Sequence, residues 1–112
     1  GRNEAAAAID RMVEELGTHL DLVLIHWPAN FDDKAPLPNC AKGPGGSWRA
    51  CRSATWQAME AAYRGGQSRA LGVSNFGPRH LSELLDDPGR TLPVAADQVE
   101  FHPWWPQTKL RQ

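Results

Sequence analysis

The sequence predicts an α/β fold built on a parallel sheet, and three observations carry that expectation. Apolar runs in residues 20–25, 68–76 and 94–101 each end in polar residues. Segments of helical period lie between the runs, and glycine or proline closes each segment. Strand, helix, strand, helix, strand in that order demands parallel pairing with helical crossovers.

The rest of the chain is arranged around Leu20-Asp21-Leu22-Val23-Leu24-Ile25-His26-Trp27-Pro28. Its branched-aliphatic run suits a strand buried on both faces. Pro28 ends the strand, because proline cannot donate to a sheet ladder. His26 then falls at the carboxyl end of a buried parallel strand, where parallel α/β sheets and β/α barrels place their chemistry. By spacing alone, such a histidine reads equally as a satisfied strand-end residue and as a functional one.

Residues 2–16 read as a helix, with Asn3 as N-cap and Glu4 favourable in the first turn. Ile9, Met12, Val13 and Leu16 recur at three- and four-residue steps and form one apolar face. Gly17 closes it as a C-cap. Residues 29–53 follow the first strand and carry Pro36, Pro38, Gly43, Pro44, Gly45 and Gly46, the composition of a long loop. Long loops in compact domains are usually functional or mobile, and Trp48 there reads as a lid, a substrate contact or a surface residue. Residues 55–64 predict a helix capped by Thr55, with Trp56, Met59, Ala62 and Tyr63 as its buried stripe and Gly65-Gly66 at its end.

The second strand covers residues 68–76 and runs into Ser74-Asn75-Phe76. Gly77-Pro78 opens a helix that continues through Leu85, with proline suited to its first turn. In the third strand, residues 94–101, alternation puts Gln98, Glu100 and His102 on one side and Asp97, Val99 and Phe101 on the other. Residues 107–112 read as the start of another helix, and His19 and His80 as solvated surface residues.

Composition excludes several function classes. A formal charge of -1 gives no electrostatic pull toward nucleic acid or an acidic membrane. No apolar run approaches the ~20 residues that span a bilayer. The 112 residues suffice for one small domain, and Gly1 in place of a methionine suggests a piece of a longer protein or a processed product. Cys40 and Cys51 share one irregular segment and could pair across it, but free thiols are the expectation for an intracellular enzyme.

Four motifs resemble the aldo-keto reductase family. They are the stretch from Leu20 to Pro28, then Trp56-Gln57-Ala58-Met59-Glu60, Leu71-Gly72-Val73-Ser74-Asn75-Phe76, and Asp97-Gln98-Val99-Glu100-Phe101-His102-Pro103. Their order and spacing cover nearly the whole chain. The resemblance implies a partial (β/α)8 TIM barrel, covering about strands four to six with their helices. Residues 1–112 are then the central portion of a single barrel domain, with its N-terminal and C-terminal parts missing.

The resemblance also implies a cytoplasmic oxidoreductase that uses NADPH to reduce a small-molecule aldehyde or ketone. It assigns His26 as the catalytic histidine that hydrogen-bonds the substrate carbonyl. It assigns Ser74, Asn75 and Gln98 to the nicotinamide carboxamide and Trp27 to the substrate pocket, with no metal. The residue types suit these roles. Hydride chemistry belongs to the cofactor, so the protein supplies position and polarisation. An amide needs donors and acceptors, which Ser, Asn and Gln provide. A carbonyl becoming an alkoxide needs a donor aimed at its oxygen.

The family's catalytic Asp, Tyr and Lys come from earlier strands. Tyr63, the single tyrosine, lies in a helix and is not the proton donor. Asp97 stands where the family usually has Asn, and Phe101 where Cys is common. Two other readings fit parts of the sequence: a non-catalytic regulatory or binding subunit on the same fold, and a metal-dependent barrel hydrolase ligated by His26, Glu100 and His102.

Overall fold

A computed structural model describes residues 1–29, 38–42 and 44–112. Helix α1 (Arg2–Leu16) leads into strand β1 (Val23–Ile25), a single 3₁₀ turn (Asn39–Ala41) and helix α2 (Trp48–Arg64). Strand β2 (Leu71–Ser74), helix α3 (Pro78–Leu85) and strand β3 (Asp97–Gln98) complete the order. The strands form one sheet in the order β1-β2-β3, and both pairings are parallel, as the alternation of elements requires.

The ladders extend beyond the regular strands. Leu20 bridges to Ser68, and Ala95 N–H donates to Leu71 O at 2.8 Å. Exposed Asp21 and Leu22 separate the Leu20 bridge from β1. Gly72 sits where β2 is most closely packed: a Cβ there would lie 2.6 Å from Ala96 O and 2.7 Å from a Leu24 methyl. Only a residue without a side chain fits that approach.

The core forms where the helices cover the sheet. Ile9 of α1, Trp56, Met59 and Ala62 of α2, Val23, Leu71 and Val73 of the strands, Phe76 and Leu84 pack together. Most of this set was legible in the periodicity. Gly17 caps α1 with φ 68°, and its N–H donates to Val13 O at 2.9 Å. The α1 N-cap is Gly1, two residues earlier than Asn3, so Asn3 lies inside the helix. Pro78 opens α3 as expected.

Helix α2 differs most from its expected form. It starts at Trp48 rather than Thr55, because Ser47 is extended and its Oγ accepts from Ala50 N–H at 3.0 Å. Nothing in residues 48–54 breaks a helix. Pro36 and Gly43 of the expected loop lie outside the described residues. Trp48 is thus the first helical residue and not a loop side chain. Tyr63 is 40% exposed, outside the core. It overhangs a cavity of about 160 Å³ beside Ala70, Leu71, Leu92 and Pro93, at the amino-terminal end of the sheet.

The cysteines also differ from expectation. Cys40 and Cys51 form a disulfide with their Cα atoms 5.0 Å apart. The early start of α2 brings Cys51 onto its first turns, opposite the 3₁₀ turn that carries Cys40. Residues 107–112 make one turn closed by Arg111 N–H to Gln107 O, and not a helix.

Buried charges fasten α2 at two levels. Glu60 is 2% exposed, and its carboxylate accepts from Trp56 Nε1 (2.9 Å), Thr91 N–H (2.6 Å), Thr91 Oγ1 (2.7 Å), Leu92 N–H (2.8 Å) and Arg64 (3.0 Å). Burial pushes its pKa up, but the hydrogen bonds from Thr91, Leu92 and Trp56 outweigh that and lower it to about 2. Nearer the helix start, Arg52 pairs with Glu83 of α3 and donates to Pro28 O at 2.9 Å.

A folded pKa below the unfolded one gives stability at neutral pH that is lost as acid protonates the group. Glu60 is expected to contribute about 3 kcal/mol near neutral pH. That contribution declines as pH falls from the unfolded value of 4.5 toward about 2. Urea unfolding of wild type and Glu60→Gln across that range checks it: the variant is less stable at pH 7 and the gap closes in acid.

Candidate active site

The parallel register brings the carboxyl ends of all three strands to one edge. Ile25 pairs with Val73, and Ser74 with Gln98, so His26, Ser74, Asn75 and Gln98 stand at adjacent strand ends. Sequence order separates these residues, but parallel pairing collects them.

A hydrogen-bonded chain joins the three ends. Asn75 Nδ2 donates to His26 O at 2.9 Å and to Ser74 Oγ at 3.1 Å. Ser74 Oγ donates to Gln98 O at 2.6 Å, and Asn75 N–H donates to the same carbonyl at 3.0 Å. Asn75 takes φ 59°, a left-handed conformation that Asn tolerates better than most residues. That conformation turns its amide back toward β1. Ser74 is buried at 4% exposure, whereas His26 and Gln98 are exposed. The arrangement is a buried support under exposed polar side chains.

The chemistry left over is specific. The Ser74 hydroxyl and the Asn75 NH₂ are engaged within the support. Asn75 Oδ1, the Gln98 amide and the His26 imidazole remain to meet a ligand among the described contacts. One acceptor beside an amide that both donates and accepts matches a carboxamide. The Trp27 ring lies 5.7 Å from the His26 ring and is 45% exposed. All five expected site residues therefore lie along one edge of the sheet.

The expected alternation in the third strand holds near the site: Asp97 and Val99 are half-buried while Gln98 and Glu100 are exposed. It ends at Phe101, which is 59% exposed because the ladder stops at Gln98. His102 Nε2 and Glu100 Oε1 lie 2.8 Å apart as a pair. Among the described residues, no group of three His, Cys, Asp or Glu side chains is placed to hold a metal ion. Trp104 is 87% exposed beyond the site.

Three residues hold the site through contacts that the sequence does not show, although Asp97 already stood out as a departure from the family's usual Asn. Asp97 Oδ1 accepts from Phe76 N–H at 3.4 Å and so ties β3 to the turn that carries Ser74 and Asn75. Its other oxygen is buried without a partner among the described residues. Burial raises the Asp97 pKa above the ordinary carboxylate value, and the Phe76 N–H offsets this only in part. Arg52 holds the carbonyl of Pro28, two residues after His26. His80, expected in solvent, is half-buried, and its Nδ1 accepts from Gly77 N–H at 3.4 Å. Burial, with Arg52 and Arg79 nearby, lowers its pKa. No local pattern marks Asp97 or Arg52, since each acts on a residue more than twenty positions away.

A model of the aldo/keto reductase family matches residues 1–112, and the chain belongs to that family. It is 38% identical over 112 residues to glyoxal reductase of Bacillus subtilis, covering 99% of this chain and 33% of that protein. It is 35% identical over 120 residues to glycerol 2-dehydrogenase (NADP(+)) of Saccharomyces cerevisiae, covering 96% of this chain and 38% of that one. The crystal structure of an aldo/keto reductase from Brucella melitensis superposes with TM-score 0.75 at 30% identity, covering 99% of this chain and 36% of that one. The chain spans about a third of the length of these relatives. Its βα units form part of a (β/α)8 barrel.

A raised carboxyl pKa favours the protonated state, so this group's stabilising contribution is present in acid and lost as pH rises through its folded value. Asp97→Asn is therefore expected to raise Tm at pH 7, with the gain shrinking toward acid pH. Thermal melts of the two proteins at several pH values check the sign.

Proposed function

We propose that this chain carries the carbonyl-binding and carboxamide-binding side of an NADPH-dependent reductase acting on small aldehydes or ketones. The hydrogen-bonded chain from His26 O through Asn75 and Ser74 to Gln98 O supports this reading most directly. It ties together the main chain at His26, Asn75 and Gln98, the residues that carry the imidazole and the amides suited to a nicotinamide. The yeast relative's name, which specifies NADP(+), supports the choice of cofactor.

When bound, the dihydronicotinamide supplies the hydride. Asn75 and Gln98 would hold its carboxamide, while Ser74, expected in the same contact, has its hydroxyl proton on Gln98 O and supports Asn75. That contact selects which ring face is offered, and holding both reactants in register removes much of the entropic barrier. The His26 N–H donates to the carbonyl oxygen and stabilises the negative charge that grows there. Trp27 lines the substrate side. The reading requires the family's Asp, Tyr and Lys, from barrel strands outside this chain, to complete the proton path. A cytoplasmic location accompanies this reading. Among the described residues, no helix is long and apolar enough to cross a membrane.

In the full protein, His26→Ala is expected to lower kcat about 100-fold or more while leaving the NADPH Kd within about 2-fold. Stopped-flow turnover and NADPH fluorescence titration measure both. Unchanged turnover removes His26 from the mechanism. NADPH binding by wild type without turnover of any carbonyl indicates a non-catalytic subunit instead.

The 112-residue chain alone is expected to associate or fold incompletely and to reduce no carbonyl. Among the described residues, β1 and β3 are each paired on one side only, and Leu22, Phe101 and Trp105 are exposed. Size-exclusion chromatography with an NADPH-oxidation assay tests this. A monomer that turns over substrate would refute it.

A further inference from the structure

The proposed reaction leaves the Cys40–Cys51 bridge unused, and the residue after Cys51 reaches the carbonyl of Pro28, two residues past His26. Cys40 is half-buried on its 3₁₀ turn, and Cys51 is 5% exposed in α2. The bridge encloses the turn that starts the helix. Ser47 N–H donates to Cys40 O at 3.2 Å, Cys51 N–H to Ser47 O at 3.0 Å, and Ala50 N–H to Ser47 Oγ at 3.0 Å. Gly46 folds back on the backbone of Lys42 so closely that no Cβ fits. The next residue after Cys51 is Arg52, which grips the carbonyl of Pro28 and the carboxylate of Glu83. One stretch of α2 thus holds both the bridge and the chain just past His26.

We propose that Cys40–Cys51 is a thiol–disulfide exchange site. Reduction by a dithiol loosens the first turn of α2 and, through Arg52, shifts the His26–Trp27 segment. A thiolate of the dithiol attacks Sγ of Cys40, the less buried partner. The S–S bond breaks, and Cys51 leaves as a thiolate and takes up a proton. The second thiol of the reductant then displaces Cys40 and closes a disulfide within the reductant. The bridge gains two electrons and two protons, and the dithiol loses them.

Release matters because a cross-link restricts the open states of the loop it closes. Without it, the turn is held by hydrogen bonds near the surface, the first to open in local unfolding. The exchange site itself does not depend on the reductase reading; the effect on the His26 segment does.

The test uses the full protein, oxidised or treated with dithiothreitol, beside a variant with Cys40→Ser and Cys51→Ser. Without reductant, iodoacetamide is expected to label neither cysteine, and trypsin to cut slowly after exposed Lys42. After reduction, both cysteines are labelled and cleavage at Lys42 speeds up about 10-fold or more. The double variant cuts at the fast rate under both conditions. Reduction also raises KM for a carbonyl substrate severalfold while the NADPH Kd is unchanged.

Labelling without reductant, or cleavage that ignores reduction, overturns the exchange site. An unchanged KM overturns the link to His26. Absence of NADPH binding in every form defeats the reductase reading, while labelling and proteolysis still decide the exchange site.

Discussion

Parallel pairing is the constraint on which the rest of the structure depends. A parallel ladder cannot close with a tight turn, so each strand must return through a crossover. Helices α2 and α3 are those crossovers. The same pairing points all three strands one way, so residues that follow Ile25, Val73 and Asp97 meet at one edge. Gly72 lets the middle strand sit close to its neighbours. Loss of that approach would separate His26 from Asn75 as well as weaken the sheet.

Helix α2 ties this sheet to its surroundings through two buried ionic groups. Glu60 collects hydrogen bonds from Trp56, Arg64, Thr91 and Leu92, which sets where the chain enters β3. Arg52 joins the end of the first βα segment to α3 through Pro28 and Glu83. Buried charges of this kind owe their value to complete satisfaction, since a lone buried charge is costly. Their directional bonds place the helix in one position along the sheet. The apolar core alone would tolerate small slides.

The site relies on the same economy of placement. Asn75 in its left-handed conformation serves as a corner brace between β1 and β2, and Ser74 passes the support to β3. The groups left over are the Asn75 Oδ1 acceptor, the Gln98 amide and the His26 imidazole. Asp97 supports the underside of that turn with a carboxyl that burial disfavours as an anion. An amide at this position would carry no such penalty.

The sequence by itself determined the kinds of element and the polar residues at their ends. Apolar runs, helical periods, Gly17 and Pro78 report local preferences, and these survived folding. His26, Ser74 and Asn75 end apolar runs, but their roles, like that of Gln98 inside the third segment, came from the family resemblance. Tertiary structure decided what local pattern cannot carry. Ser47 capped α2 a full eight residues before Thr55, which placed Cys51 against Cys40 and made a bridge of two expected thiols. Asn75 reached His26, Arg52 reached Pro28, and Asp97 reached Phe76, all across long separations. Tyr63 lost its expected burial because the sheet ends beneath it. Local propensity is a property of neighbours along the chain, whereas these contacts exist only after the parallel ladder has brought distant segments together.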